Sequence, residues 1–304
     1  MNANRVILAG GSGFIGRALA CEFSGRGFAV CVLTRSPRQR TDGVREIEWD
    51  GANVGPWTAQ LEGAEALINL TGKSINCPHT PENLRAITES RINSVNVLAA
   101  ACAQVKQPPR VWAQASAIGY YGDTGDVPRD ETASAGDDAL ANICRQWEGV
   151  FAKVNLAGTR KVTLRIGFVL GRDGGALPLL SKMTKLFLGG AAGRGTQYVS
   201  WIHLADLAAM FVAAVTDETT AGTYNAVGPN PVTNAEFMRE LRRALHRPWS
   251  PSAPAFAVKL GARLMGSDGS LALVSQRCAA KRFSKVRFPF QFTEVKEALN
   301  DLCS

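Results

Sequence analysis

Histidine is scarce in this chain, 3 in 304 residues, and none has metal-ligand spacing, which argues against a zinc site. No C-x-x-C pair occurs. The seven cysteines (Cys21, Cys31, Cys77, Cys102, Cys144, Cys278 and Cys303) are scattered and odd in number. A disulfide framework is therefore not expected, and a reducing, cytoplasmic setting is the simplest one. No run of about eighteen apolar residues is present, so no membrane-spanning helix is expected. The first residues pass straight into a strand pattern without the features of a signal peptide. Acidic side chains are outnumbered 26 to 34, giving a net charge of +8. The densest basic stretch is 277–287, with Arg277, Lys281, Arg282 and Lys285. It reads mainly as a solvated surface. Nucleic-acid binders usually gather such charge on one face, so no nucleic acid is implied, and an anionic small molecule accounts for part of the balance. The rest is ordinary globular composition, 46% apolar and 20% charged. The length suits one large domain or two intimately joined ones.

The most informative stretch is Arg5-Val6-Ile7-Leu8-Ala9-Gly10-Gly11-Ser12-Gly13-Phe14-Ile15-Gly16. A short apolar run ends in a glycine-rich turn and enters a helical pattern, with apolar residues at Phe14, Ile15, Ala18, Leu19 and Phe23. The glycines fit G-x-G-x-x-G and G-x-x-G-x-x-G. They turn the chain without a Cβ, bring main-chain N–H groups close to a pyrophosphate, and seat the helix on its strand. The helix start offers free N–H groups and partial positive charge to an anion. A dinucleotide site is the reading. A tight strand-to-helix turn without a ligand is the alternative.

Residues 29–34 form a second buried-type strand, whose end would face the adenosine ribose. An acidic residue there would favour NAD. This chain has Thr34-Arg35, then Arg38 and Arg40. A guanidinium suits a 2′-phosphate, so NADP(H) is the expected cofactor. If Arg35 is only a surface residue, that preference disappears. Further strands are expected at 44–49, 66–69, 111–114 (running on to Ser116) and 162–166, with helices at 81–103 and 139–156. This alternation implies a doubly wound parallel sheet, a Rossmann-type α/β fold, over residues 1–170. After Gly171 glycine and proline become frequent, and residues 171–304 are expected to build a smaller substrate lobe. There Asp206 reads as the N-cap of a helix over 207–215, and 223–227 as a strand returning to the sheet. Thr233 with Glu236 reads as a capping box. Two helical patterns flank Arg287-Phe288-Pro289-Phe290.

In order along the chain, Gly10 to Gly16, Asn69 to Gly72, Ser116-Ala117-Ile118-Gly119-Tyr120-Tyr121-Gly122 and Trp201-Ile202-His203-Leu204-Ala205-Asp206 resemble the short-chain dehydrogenase/reductase superfamily, extended type. Cys144-Arg145-Gln146-Trp147-Glu148, Arg165 to Gly171 and Pro229 to Phe237 narrow the resemblance to its uncharacterised "epimerase family" branch, which carries a C-terminal domain of unknown function. The match covers nearly the whole chain. It implies a Rossmann fold with a bound dinucleotide and names no substrate. Motif and resemblance together place cofactor contacts at Gly10, Ser12, Gly13, Phe14, Ile15, Thr34, Arg35, Trp49, Leu70, Thr71, Gly72, Ser90, Ser116, Arg165 and Gly167. The superfamily's dimer contact would use the helices at 81–103 and 139–156, giving a homodimer. The same helices could equally stay solvent-exposed.

The departures from the superfamily bear on chemistry. Its enzymes use a Tyr-x-x-x-Lys pair for proton transfer. The tyrosines here are Tyr120, Tyr121, Tyr198 and Tyr224, and four residues on stand Thr124, Gly125, Ile202 and Gly228. Aligning Glu148 with the glutamate that usually follows the pair puts Leu140 and Cys144 at its positions. The arginine that grips a diphosphate in nucleotide-sugar enzymes is replaced by Val199, which cannot bind a phosphate, although Arg194 lies nearby. Candidate catalytic groups are Ser116, Tyr120 and Tyr121. The tyrosines can also be wall residues whose hydroxyls bond to the backbone. His203 is read as structural. Two functions compete: an NADP(H)-dependent oxidoreductase or epimerase on a small carbonyl or hydroxyl compound, and a non-catalytic NADP-binding sensor or scaffold.

Overall fold

The computed structural model describes residues 4–304. The chain begins with β1 (Arg5–Ala9), α1 (Phe14–Gly25), β2 (Ala29–Thr34), β3 (Arg45–Glu48), β4 (Ala66–Asn69), α2 (Pro81–Cys102), β5 (Val111–Ala117), α3 (Ala139–Lys153) and β6 (Arg160–Ile166). Then follow β7 (Phe168–Leu170), α4 (Leu177–Lys185), β8 (Tyr198–Val199), β9 (Trp201–His203), α5 (Leu204–Thr216) and β10 (Gly222–Ala226). The last elements are β11 (Val232–Thr233), α6 (Asn234–Ala244), α7 (Ala255–Leu264), α8 (Lys281–Lys285) and α9 (Val295–Cys303).

Seven strands pair in the order β10-β6-β5-β4-β1-β2-β3, every neighbour parallel. The strand order reverses between β1 and β4, which opens a crevice at the carboxyl ends of the strands. Alternation along each strand explains why both faces are covered. Val6 and Leu8 of β1, Val30 and Val32 of β2, and Ala66 and Ile68 of β4 enter one core with helices α1 and α5. Ile7, Ala9, Cys31, Leu33 and Leu67 enter the other, with α2 and α3. Burying Leu19 and Phe23 of α1 contributes about 1.5–3 kcal/mol each. A third core joins Phe237 and Leu241 of α6 to Val295, Ala298 and Leu299 of α9 beneath Leu170 and Trp201.

The returning strand is β10, which extends the sheet beside β6. After β6 two small sheets form, β7 with β9 and β8 with β11, and their strands of two or three residues escaped the sequence reading. The C-terminal segment holds three helices rather than two. Helix α5 corrects another expectation. It starts at Leu204, its N-cap is His203, and the Nδ1 of His203 accepts the N–H of Ala205. Strand β9 hands directly into the helix, so Asp206 falls inside the first turn. Its buried carboxylate instead accepts the N–H groups of Gln291 and Phe292 and anchors the C-terminal segment.

The capping box at α6 is complete: Glu236 donates its N–H to the Thr233 hydroxyl, and the Thr233 N–H reaches the Glu236 carboxylate. Thr233→Ala is expected to cost about 1 kcal/mol, read as a lower urea midpoint at unchanged slope. Helices α2 and α3 pack on one another, and the exposed face of α2 carries Arg85, Glu89, Asn93 and Asn96. No helix among the described residues is long and apolar enough to cross a membrane.

Candidate functional site

The crevice is lined by the turns that follow β1, β2, β4, β5 and β6. Gly10 has φ of 75°, and a Cβ on it would stand 3.1 Å from the Thr71 hydroxyl, so the first and fourth strand ends touch only through glycine. Gly16 sits still closer to its neighbour, 2.4 Å from the Gly11 backbone to a Cβ position. Helix α1 begins with Gly13 as N-cap, without a side-chain cap and without an acidic residue in its first turn. Its leading N–H groups have no side-chain cap, the arrangement that suits an anion. Ser12 and Gly13 are exposed at this turn, and Phe14 and Ile15 are half-buried beside it. The Phe14 ring packs against Gly171, Gly174 and Gly175. Arg17 donates to the carbonyls of Ser12 and Asp173 and ties the same two segments.

At the end of β2, Thr34 donates to the Ser12 hydroxyl at 3.1 Å. Arg35 is exposed and has no carboxylate partner among the described residues, whereas Arg40 is held by Asp42 and Glu46. Trp49 is 3% exposed, packs on Trp57, and borders a cavity of about 480 Å³ beside β3. At the end of β4, Asn69 is fully buried, bonded to Ser94 and Gln114, and accepts the N–H of Thr71. The Thr71 hydroxyl is buried with no partner among the described residues. Leu70 packs into both cores. Ser90 accepts the N–H of Lys73, and Arg91 lies over Gly72. A capless helix start, an orphaned hydroxyl and a free guanidinium fit a phosphorylated dinucleotide.

The other end of the crevice is a paired polar cluster. Ser116 at the end of β5 donates to Glu148 of α3 at 2.6 Å. Arg165 of β6, 5% exposed, grips both oxygens of Glu148 at 2.9 and 2.7 Å and donates to the Tyr121 hydroxyl at 2.9 Å. Tyr121 donates to Asn225 of β10 at 2.8 Å. Burial works against the Arg165 charge, but Glu148 outweighs it and holds the guanidinium's pKa above its ordinary value. Burial pushes the Tyr121 phenol up to about 12, against the pull of Arg165. Tyr120 is half-buried, its ring 3.4 Å beneath the Arg165 guanidinium, and its hydroxyl bonds to no described residue. Gly167 lets the turn after β6 approach Ser200, where a Cβ would lie 2.4 Å from the carbonyl oxygen.

The structure thus brings Ser116, Tyr120, Tyr121 and Arg165 together. Two partners, Glu148 and Asn225, had no assigned role in the sequence reading. Glu148 served there only as an alignment mark, and the one signal for Asn225 is a polar residue inside the strand Tyr224-Asn225-Ala226-Val227. Cys144 is buried next to Glu148, and burial pushes its thiol up to about 12, so it packs as a small apolar group. His203 stacks on Phe292 and caps α5.

The Tyr121 environment has a pH signature. An unfolded phenol ionises near pH 10, and the folded one near 12. The unfolded state binds fewer protons between those values, so this group's contribution is intact below pH 10 and lost as pH rises through 12. Stability is expected to fall more steeply between pH 9.5 and 11.5 (about the span of that titration) in the wild type than in Tyr121→Phe. Urea unfolding across that range checks it.

The pattern of the NAD dependent epimerase/dehydratase family matches residues 6–227, and a domain of unknown function, DUF1731, matches residues 253–302. The chain is 35% identical over 302 residues to "Epimerase family protein SDR39U1 homolog, chloroplastic" of Arabidopsis thaliana, covering 97% of this chain and 85% of that protein. It is 31% identical over 300 residues to "Epimerase family protein YfhF" of Bacillus subtilis (strain 168), covering 98% and 97%. The crystal structure of human epimerase family protein SDR39U1 (isoform 2) with NADPH superposes with a TM-score of 0.88 at 31% identity, covering 98% of this chain and 99% of that one. The chain therefore belongs to the NAD dependent epimerase/dehydratase family, in the company of epimerase family proteins of the SDR39U1 type.

Proposed function

We propose that this protein binds NADP(H) across the carboxyl ends of β1, β2, β4, β5 and β6. We further propose that it is an oxidoreductase or epimerase acting on a small carbonyl or hydroxyl compound. The pyrophosphate would rest on the Ser12 to Ile15 turn, and Arg35 would read the 2′-phosphate. The segment after Gly171 would form the substrate lobe. The NADPH bound by the human relative supports the cofactor assignment.

The observation that carries the enzyme reading is the Ser116–Glu148 pair at the nicotinamide end of the crevice. Bound there, the nicotinamide supplies or accepts hydride. The Ser116 oxygen keeps lone pairs free to accept a substrate hydroxyl's hydrogen while its own proton points at Glu148. A proton can pass from the substrate oxygen to Ser116 Oγ as the Ser116 proton moves to Glu148 Oε1, and return by the same route in reduction. Arg165 orients Glu148, and Tyr121 ties Arg165 to Asn225. Tyr120 offers a hydroxyl free of protein partners. Tyr121, holding its proton to about pH 12, serves the cluster's geometry. The sensor reading draws on one observation: both Glu148 oxygens are clamped by Arg165, as a purely structural ion pair would be.

Calorimetric titration with NADPH and NADH tests the cofactor, and a carbonyl screen followed by nicotinamide absorbance tests the reaction. NADPH is expected to bind more tightly than NADH. Arg35→Ala is expected to weaken NADPH about tenfold, ~1.4 kcal/mol, since the contact is exposed, and to leave NADH unchanged. Failure to bind either nucleotide refutes the assignment. Tight binding without turnover of any compound in the screen favours the sensor.

A further inference from the structure

A second hollow lies where α4 meets the ends of α6 and α9. It has a volume of about 460 Å³, within the roughly 300–1,000 Å³ usual for small-molecule sites. Its apolar wall comes from Leu177 and Leu186 around α4, Leu245 just after α6, and Leu302 of α9. Its charged side chains are Arg172, Lys182 and Lys185, and no carboxylate side chain lines it.

The three cations differ. Arg172 is already engaged by the main-chain oxygens of Asp301 and Ser304. Lys182 and Lys185 have no hydrogen-bond or ion-pair partner among the described residues, and three-residue spacing puts them on one face of α4. Their position in the last turn of α4 complements the helix dipole. That does not account for the leucine-walled space beside them. Cys303 lines the same space. Burial pushes its thiol up, while Ser181 and the charges of Lys185 and Arg172 pull it back. The cationic field therefore reaches into the hollow. Leu186, which lines the hollow, and the next two residues in the chain, Phe187 and Leu188, are all more than half exposed.

We propose that this hollow binds a single-chain anionic amphiphile, with a carboxylate head on Lys182 and Lys185 and an alkyl body against Leu177, Leu245 and Leu302. Neither requirement alone describes the site. A small anion would leave the leucine wall wet, and a neutral alkyl chain would make no use of the two exposed lysine charges at the mouth.

Decanoate is the probe, with acetate supplying the head alone and decanol the body alone. Calorimetry is expected to show one saturable decanoate site per chain, with acetate and decanol each at least about tenfold weaker. Lys182→Gln with Lys185→Gln is expected to weaken decanoate about tenfold and to leave the melting temperature and NADPH titration as in the wild type. Leu302→Trp, which fills the hollow, is expected to abolish decanoate binding. In a Cys21→Ser, Cys77→Ser background, Cys303 is the remaining cysteine that is not buried, and decanoate is expected to slow its alkylation. No saturable decanoate binding overturns the proposal. So does equal affinity for decanol, equal affinity in the double lysine variant, or Cys303 alkylation at the same rate with and without decanoate.

Discussion

Glu148→Ala is expected to lower the unfolding free energy by about 3–5 kcal/mol, the usual cost of removing one partner of a buried ion pair. The Glu148 carboxylate holds three donors at once: Arg165 Nε, Arg165 Nη2 and the Ser116 hydroxyl. Deleting it leaves a guanidinium that is 5% exposed with one hydrogen bond, to Tyr121, and stacking on Tyr120. Little solvent reaches a guanidinium at such burial, so the cost is mainly the desolvation of an uncompensated charge rather than the strength of one bond. The double variant Glu148→Leu with Arg165→Met removes both charges together and is expected to be several-fold milder in kcal/mol. Urea unfolding of the single and double variants decides this. A single-variant loss under about 1 kcal/mol would mean that Arg165 reaches solvent and that the pair is an ordinary surface bridge.

Gly16→Ala is expected to cost about 3 kcal/mol, the upper end for overpacking, and to take nucleotide binding with it. A Cβ at this position meets Gly11 Cα and O at 2.4 Å. Both contacts are backbone atoms, so no side chain can swing aside. Either α1 lifts from β1 or the glycine turn deforms, and each displaces the N–H groups of residues 12–15 from an anion. Gly25, the last residue of the same helix, supplies the control, because nothing lies within 4 Å of its Cβ position. Gly25→Ala is expected to be neutral or to stabilise by up to about 0.5–1 kcal/mol. Thermal unfolding with an NADPH titration of both variants separates local clash from loss of a glycine. Wild-type affinity in Gly16→Ala would disconnect the close helix–strand approach from the binding site.

Much of the frame was legible because it is local. Strands over Ala29–Thr34 and Ala66–Asn69 and the starts of α2 and α3 follow from apolar runs, Pro81 and helical spacing, and the structure has them at those bounds. The Thr233 to Glu236 cap is likewise written within four residues. What failed has a common cause. Aspartate is a strong capping residue, and the sequence around Asp206 does not say that two N–H groups from residues 291 and 292 will claim its carboxylate. Strands β7, β8 and β9 are too short to show a period, and exist because distant backbone pairs with them.

By itself the amino-acid sequence determined the parallel doubly wound sheet, the glycine turn that opens α1, and the arginine at the end of β2. The alternation of strands and helices behind that sheet is written in local periodicity, the turn in a steric rule that glycine obeys, and the arginine in a single residue. Only the tertiary structure decided which polar groups meet. Ser116, Tyr121, Glu148, Arg165 and Asn225 come from four separate segments (β5 with the turn after it, α3, β6 and β10) and converge because parallel strands β5, β6 and β10 end on the same side of the sheet. The same holds for the leucine-walled hollow at α4, whose lysines are three residues apart on one helix but whose apolar wall is completed by Leu245 and Leu302. Burial and pairing are properties of the assembled core. They set whether a tyrosine keeps its proton to about pH 12 and whether an arginine is paired or left exposed.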